Sequence, residues 1–255
     1  MRWRGLYASL HRATALSSAP PETAPAETGP AETATADPAL RPSPDRYRLV
    51  IFDFDGTLAD TFDWFAGIIN EVADRYSFRR IELHEAETVR RMSARQAMQF
   101  VGIPAWKLPF ISRHMRRLAT RDIDGVRLFA GIEPMLIELD RRGVMLASVS
   151  SNSEANVRHA LGPLSERFRH FACGAALFRK ARRLDKVMRA CGAVPGETLA
   201  VGDEIRDLEA SRKVGCAFGA VSWGYTRPDA IEGLKPDFVF RSPEDILGAM
   251  NGAQR

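Results

Sequence analysis

The stretch VIFDFDGTLADT, Val50 to Thr61, places two aspartates, Asp53 and Asp55, at the end of a strongly apolar run and follows them with Gly56 and Thr57. Buried carboxylates are costly unless paired or bound to a metal. Side chains alternate along a strand, so Asp53 and Asp55 are expected on the same side. Two carboxylates facing one cleft repel, and one is driven toward protonation. A hard divalent cation removes that conflict, and Mg²⁺ takes one or two carboxylates together with water and phosphate oxygens.

Other segments supply the complementary groups. Ser150, Ser151 and Asn152 follow a second apolar run, VMLASV. Lys180 opens a helical stretch, and Asp203 and Asp207 follow a further run, TLAVG. Acids, hydroxyls and one lysine at the ends of apolar runs read together as a site for a divalent metal and a phosphate. Asp203 offers a third carboxylate. The hydroxyls, Thr57, Ser150 and Ser151, and the point cation of Lys180 suit phosphoryl oxygens. Gly56 permits a tight turn with its amides exposed to an anion.

These residues need a scaffold that brings the run ends together. Six short apolar runs alternate with helical stretches from Arg48 onward, beginning with RLVIF and ending with DFVF. Wholly apolar strands separated by helices predict an α/β fold, a Rossmann-like parallel sheet covered by helices on both faces. Such sheets bind ligands at the carboxyl ends of their strands. Helices are expected over 154–161, 180–190 and 205–214, with another ending at Gly143. Residues 61–125 read as helical, without a strand.

DFDGTLADT resembles the first motif of the haloacid dehalogenase-like hydrolase superfamily, DxDGT. VSSNS is similar to the second motif, Lys180 in FRKARRL to the lysine of the third, and VGDEIRD to the fourth, GDxxxD. The resemblance covers about 48–241. It departs at Ala181, where relatives often have proline, and Lys186 is a rival six residues on that falls inside the helix. The resemblance implies a phosphoglycolate phosphatase-like, Mg²⁺-dependent phosphatase acting on a small phosphorylated metabolite. Asp53 would be the nucleophile that forms an aspartyl-phosphate, and Asp55 the acid and base. The metal would be held by the Asp53 carboxylate, the Asp55 backbone carbonyl and Asp203. Asp207 would orient Lys180 or a metal-bound water, or else serve only as an acid at a helix start. Glu204 is expected in solvent. A halide leaving group needs no proton, so Asp55 argues for phosphoryl transfer rather than dehalogenation. A phosphosugar mutase on the same site and a non-catalytic binding protein are the alternatives.

The resemblance also implies that 61–125 is a small all-α cap inserted into a core of 46–60 and 126–255. From Arg75 to Arg121 the segment has ten arginines, one lysine, three glutamates and no aspartate. Arg90, Arg91 or Arg95 clamps a second anionic group of the substrate, or the arginines form a solvated basic face. Trp64 and Phe65 are assigned to the cap's own core. Tyr225, in WGYT, borders the pocket or simply packs.

The chain has 255 residues, 45% of them hydrophobic, and a net charge of +4. That balance does not imply nucleic acid, and no apolar run approaches the roughly 20 residues of a membrane span. Three cysteines without paired spacing suggest reduced thiols and a cytoplasmic setting. Residues 20–44, rich in Pro, Ala, Glu and Thr, predict a disordered tail over 1–45. Its first twenty residues are faintly similar to a transit peptide.

Overall fold

The computed structural model describes residues 47–174 and 179–250. The expected tail over 1–45 lies outside the described residues. In chain order the elements are β1 (Leu49–Phe52), α1 (Phe62–Tyr76), α2 (Ala86–Val89), α3 (Ala94–Phe100), α4 (Leu108–Arg121) and α5 (Ile132–Arg141). Next come β2 (Met145–Val149), α6 (Glu154–Leu161), β3 (Phe168–Ala172), α7 (Lys180–Ala190), β4 (Thr198–Gly202) and α8 (Ile205–Val214). The chain continues through β5 (Ala217–Val221), α9 (Pro228–Glu232), β6 (Phe238–Phe240) and α10 (Pro243–Met250). The third strand starts two residues ahead of the expected HFACGA, and α9 and α10 are additional to the expected helices.

The six strands form one parallel sheet in the order β3-β2-β1-β4-β5-β6. The order reverses between β1 and β4, and the crevice outside their carboxyl ends is where such sheets bind ligands. Alternation along β1 divides the core in two. Val50 and Phe52 face a cluster with Leu136 and Leu139 of α5, Val157 of α6 and Ile246 of α10. Leu49 and Ile51 face a cluster with Leu184 and Val187 of α7, Leu208 of α8 and Ile231 of α9. By the same alternation Asp53 continues the face of Leu49 and Ile51, the face that carries α7 and α8. Phe52 and Phe54, both fully buried, anchor the strand on either side of that acid. Each such side chain contributes about 1.5–3 kcal/mol when buried.

The segment between β1 and β2 is helical up to α5, as expected. Ile68, Val72, Ile111 and Leu118 form a small cluster of their own, with Trp64 and Tyr76 packed against it. Two strands of backbone join this segment to the sheet. Asp60 N–H donates to Arg127 O at 2.9 Å, and Phe129 N–H to Leu58 O at 3.0 Å. No helix among the described residues is long and apolar enough to cross a membrane. All three cysteines are free, with Cys216 buried and Cys173 and Cys191 half-buried.

Candidate active site

The two acids at the crevice are both buried, Asp53 after β1 and Asp203 after β4. The Asp53 backbone N–H still donates to Val201 O of β4 at 2.9 Å, so the acid emerges where the ladder ends. Lys180, the first residue of α7, lies between Asp53 and Asp207, with Nζ 2.7 Å from Asp53 Oδ2 and 2.6 Å from Asp207 Oδ1. Burial alone would lower the Lys180 pKa, but Asp207 and Asp53 outweigh it and hold the ammonium above its ordinary value. Lys186 faces solvent on the same helix.

Asp203 is held from two sides. Thr57 Oγ1 donates to its Oδ1 at 2.8 Å, and the Tyr225 backbone N–H donates to its Oδ2 at 2.7 Å. Thr57, expected to bind phosphate, therefore directs its hydroxyl proton at Asp203. Glycines leave the room for this acid. A Cβ at Gly56 or Gly224 would overlap Asp203, and one at Gly202 would overlap Asp207. Gly56 also has φ of 75°, the left-handed region open to glycine.

Asp55 stands in a different environment. It accepts from Asn152 Nδ2 at 3.4 and 3.3 Å and from the Thr61 hydroxyl. Thr61 Oγ1 is in turn 2.9 Å from Tyr225 Oη. Burial first, then the neighbouring charge of Asp53, raises the Asp55 pKa to about 7. Burial likewise pushes the Tyr225 phenol well above its usual value. Ser150 is buried and its Oγ accepts from the Asn152 backbone N–H at 3.0 Å, which leaves its own proton to donate. Ser151, next to it, is half-buried.

Asp207 fills both places open to it. Besides meeting Lys180, its Oδ2 accepts from Glu204 N–H at 3.3 Å at the start of α8. Glu204, expected in solvent, is half-buried and 2.5 Å from Arg206 Nη2. Arg206 is a cation that the sequence reading missed. Its ordinary position one residue before Asp207 gives no local signal of burial.

Asp53, Asp203 and Asp207 each offer an oxygen within 4.8 Å of the others, and all three are buried. Burial first, then Glu204, Asp207 and Asp53, drives Asp203 well above the usual carboxylate range. Lys180 and Arg206 cannot balance five acids, Asp53, Asp55, Asp203, Glu204 and Asp207. An oxygen donor set with excess negative charge fits a hard divalent cation. The Asp55 carboxylate lies outside this cluster and faces Asn152 instead.

The arginines expected to clamp substrate have other partners. Arg90 Nε donates to Tyr225 O at 2.9 Å and its Nη2 to Gly224 O at 3.0 Å, while the guanidinium lies 4.7 Å from the Phe62 ring centroid. Arg91 pairs with Asp229, and Arg227 N–H donates to Arg90 O at 2.9 Å. Phe65, assigned to the helical segment's own core, meets the Tyr225 ring at 5.5 Å. Phe62 meets it at 5.4 Å. Trp64 does belong to that core, with its Nε1 donating to Asp122 Oδ2 at 2.9 Å.

Residues 50–221 match the family model described as haloacid dehalogenase-like hydrolase. The chain belongs to the haloacid dehalogenase-like hydrolase family. It is 30% identical to the phosphoglycolate phosphatase of Synechococcus elongatus over 208 residues, 81% of this chain and 98% of that one. The N-acetylmuramic acid 6-phosphate phosphatase of Pseudomonas putida is 28% identical, over 72% of this chain and 86% of the other. In fold the chain is similar to CbbY of Rhodobacter sphaeroides, solved in complex with phosphate, at a TM-score of 0.63 and 20% identity, covering 80% of this chain and 99% of that one. The chain is thus an enzyme of hydrolase type, and these curated relatives are phosphatases by name.

Proposed function

We propose that this hydrolase is a Mg²⁺-dependent phosphatase that cleaves a small phosphorylated metabolite through an aspartyl-phosphate on Asp53. The observation that carries the reading is the separation of two neighbouring aspartates into different environments. Asp53 faces the Lys180 ammonium at 2.7 Å, an ion pair that holds its side chain at the mouth of the crevice where a nucleophile is needed. Asp55 is half-buried, faces Asn152 rather than that cation, and has a pKa of about 7, which suits a group that gives and takes a proton.

In the first step an Asp53 oxygen attacks phosphorus as the bond to the leaving oxygen breaks, and Asp55 transfers its proton to that oxygen. In the second, Asp55 as carboxylate takes a proton from water, which attacks phosphorus, and phosphate leaves Asp53. Lys180 and the Ser150 hydroxyl stabilise the charge on the transferring group. Thr57 and the Tyr225 backbone hold Asp203 in place. Asp53, the Asp55 carbonyl and Asp203 would hold Mg²⁺, with Asp207 behind them. The ion, when bound, neutralises the acids and draws charge from the phosphoryl oxygens. The helical segment 61–125 serves as a cap over a core of 46–60 and 126–255, seated through Arg90, Phe62 and Phe65 on the WGYT loop. The relative from Synechococcus elongatus makes 2-phosphoglycolate the first metabolite to test.

The test is turnover of 4-nitrophenyl phosphate and a panel of phosphorylated metabolites, with and without Mg²⁺. Wild type is expected to release phosphate only with the metal, and acid quench is expected to trap phosphate on Asp53. Failure of wild type to turn over any phosphate ester with any divalent metal would sink the reading. Dependence on a bisphosphate activator would point to a mutase.

A further inference from the structure

Asn152 and Asn156 form a buried carboxamide pair beside Asp55, at 7% and 2% exposure. Their hydrogen bonds fix which way each amide points. Asn152 Oδ1 lies 2.9 Å from the Ser153 backbone N–H, which can only donate. The atom facing it is therefore the oxygen, and the Asn152 amino group is left toward Asp55. The same oxygen accepts from Asn156 Nδ2 at 2.9 Å. Asn156 must then turn its own oxygen outward, where Thr120 Oγ1 of α4 lies 3.0 Å away, its one proton shared with Arg116 O at 2.9 Å. Thr120 is exposed and water replaces its hydroxyl easily, so the buried member, Asn156, carries the weight.

We propose that Asn156 is a positioning residue for proton transfer at Asp55, holding the Asn152 carboxamide so that its amino group, not its oxygen, meets the acid. The inference rests on the reading of Asp55 as general acid and base. An amide oxygen in that place would accept the acid's proton and hold it away from the leaving group. An amino group donates to the carboxyl oxygens and leaves the proton free for the leaving oxygen. Asn156 touches neither substrate nor the reacting atoms, and acts through Asn152 alone.

The experiment reads the dependence of kcat/KM on the leaving group, with 4-nitrophenyl, chlorophenyl and unsubstituted phenyl phosphates in Mg²⁺. A good leaving group departs without a proton and a poor one does not. Asn156→Leu keeps the number and branching of the side-chain heavy atoms and removes the donor. It is expected to lose about tenfold on phenyl phosphate and under about twofold on 4-nitrophenyl phosphate. A purely structural role lowers all three esters alike, and that result, or an unchanged profile, overturns the proposal. If Asn156→Leu does not fold, Asn156→Asp keeps the shape and puts an acceptor where the donor was. The same steepening is expected there, and an unchanged slope overturns the proposal. Wild type inactive on every ester would instead overturn the phosphatase reading itself.

Discussion

Charge is handled in opposite ways at the carboxyl edge of the sheet and across the helical segment that follows β1. At the edge, Lys180 has a side chain only 12% exposed and two carboxylates within 2.7 Å. Across the segment, Arg79, Arg80, Arg91 and Arg121 have side chains 47–60% exposed, and each pairs with one acid. Exposed pairs of that kind contribute little, about 0–1 kcal/mol. Arg90 is the exception, 14% exposed and bonded to backbone carbonyls of the WGYT loop. Density of arginine thus says less about function than withdrawal from water does.

Replacing groups in the two regions sharpens that contrast. The largest effect is expected from Asp53→Asn, which should reduce aryl phosphate turnover in Mg²⁺ to background. Lys180→Met should lower kcat by about 10²–10³ through lost stabilisation of the transferring group. A rise in KM with kcat unchanged would show that Lys180 serves binding only. Arg90→Leu should lower kcat/KM by roughly tenfold, since two charge-assisted bonds across the segment boundary are lost, at about 1.5–3 kcal/mol each before relaxation. Asp53→Asn and Lys180→Met are expected to act at the chemistry, whereas Arg90→Leu should act mainly through KM. Equal effects from Arg90→Leu and Arg80→Leu would break the comparison, because Arg80 makes only an exposed pair with Asp74.

A pH prediction belongs to the edge alone. Asp55 has a folded pKa of about 7 against an ordinary 3.8. The folded state therefore binds more protons than the unfolded one between those values, and stability falls as pH rises through that window. Without metal, the melting temperature is expected to fall from pH 4 to pH 7, less steeply in Asp55→Asn. Mg²⁺ should restore stability at pH 7. The smallest effect is expected from Glu87→Gln, which removes the pairs of an exposed carboxylate and should leave activity and melting temperature almost unchanged.

The residues at the strand ends were legible because apolar runs, helices and acids occur there in a fixed order. DFDGT and GDEIRD announce their own turns, so Asp53, Asp203 and Lys180 converge as expected. The double duty of Asp207 was half visible, since an acid three residues after the cap position is a local signal and its contact with α7 is tertiary. Partners set by tertiary placement were not legible. Nothing in the sequence tells Arg90 from Arg91, though one is withdrawn from water and the other is exposed. Asn156 had only its four-residue spacing from Asn152 at a helix start. The α10 helix did carry a signal, Pro243 followed by Glu244 and Asp245, and the sequence reading passed over it.

Gly56, Gly202 and Gly224 press against Asp203 and Asp207 so closely that no side chain fits. A mutational survey restricted to polar and charged positions would rank the acids and leave these three untouched. Yet one added methyl group at Gly224 should disable the site while every expected ligand keeps its identity. Variants of this chain that retain all their aspartates and still fail to respond to Mg²⁺ are therefore best sought at its smallest residues.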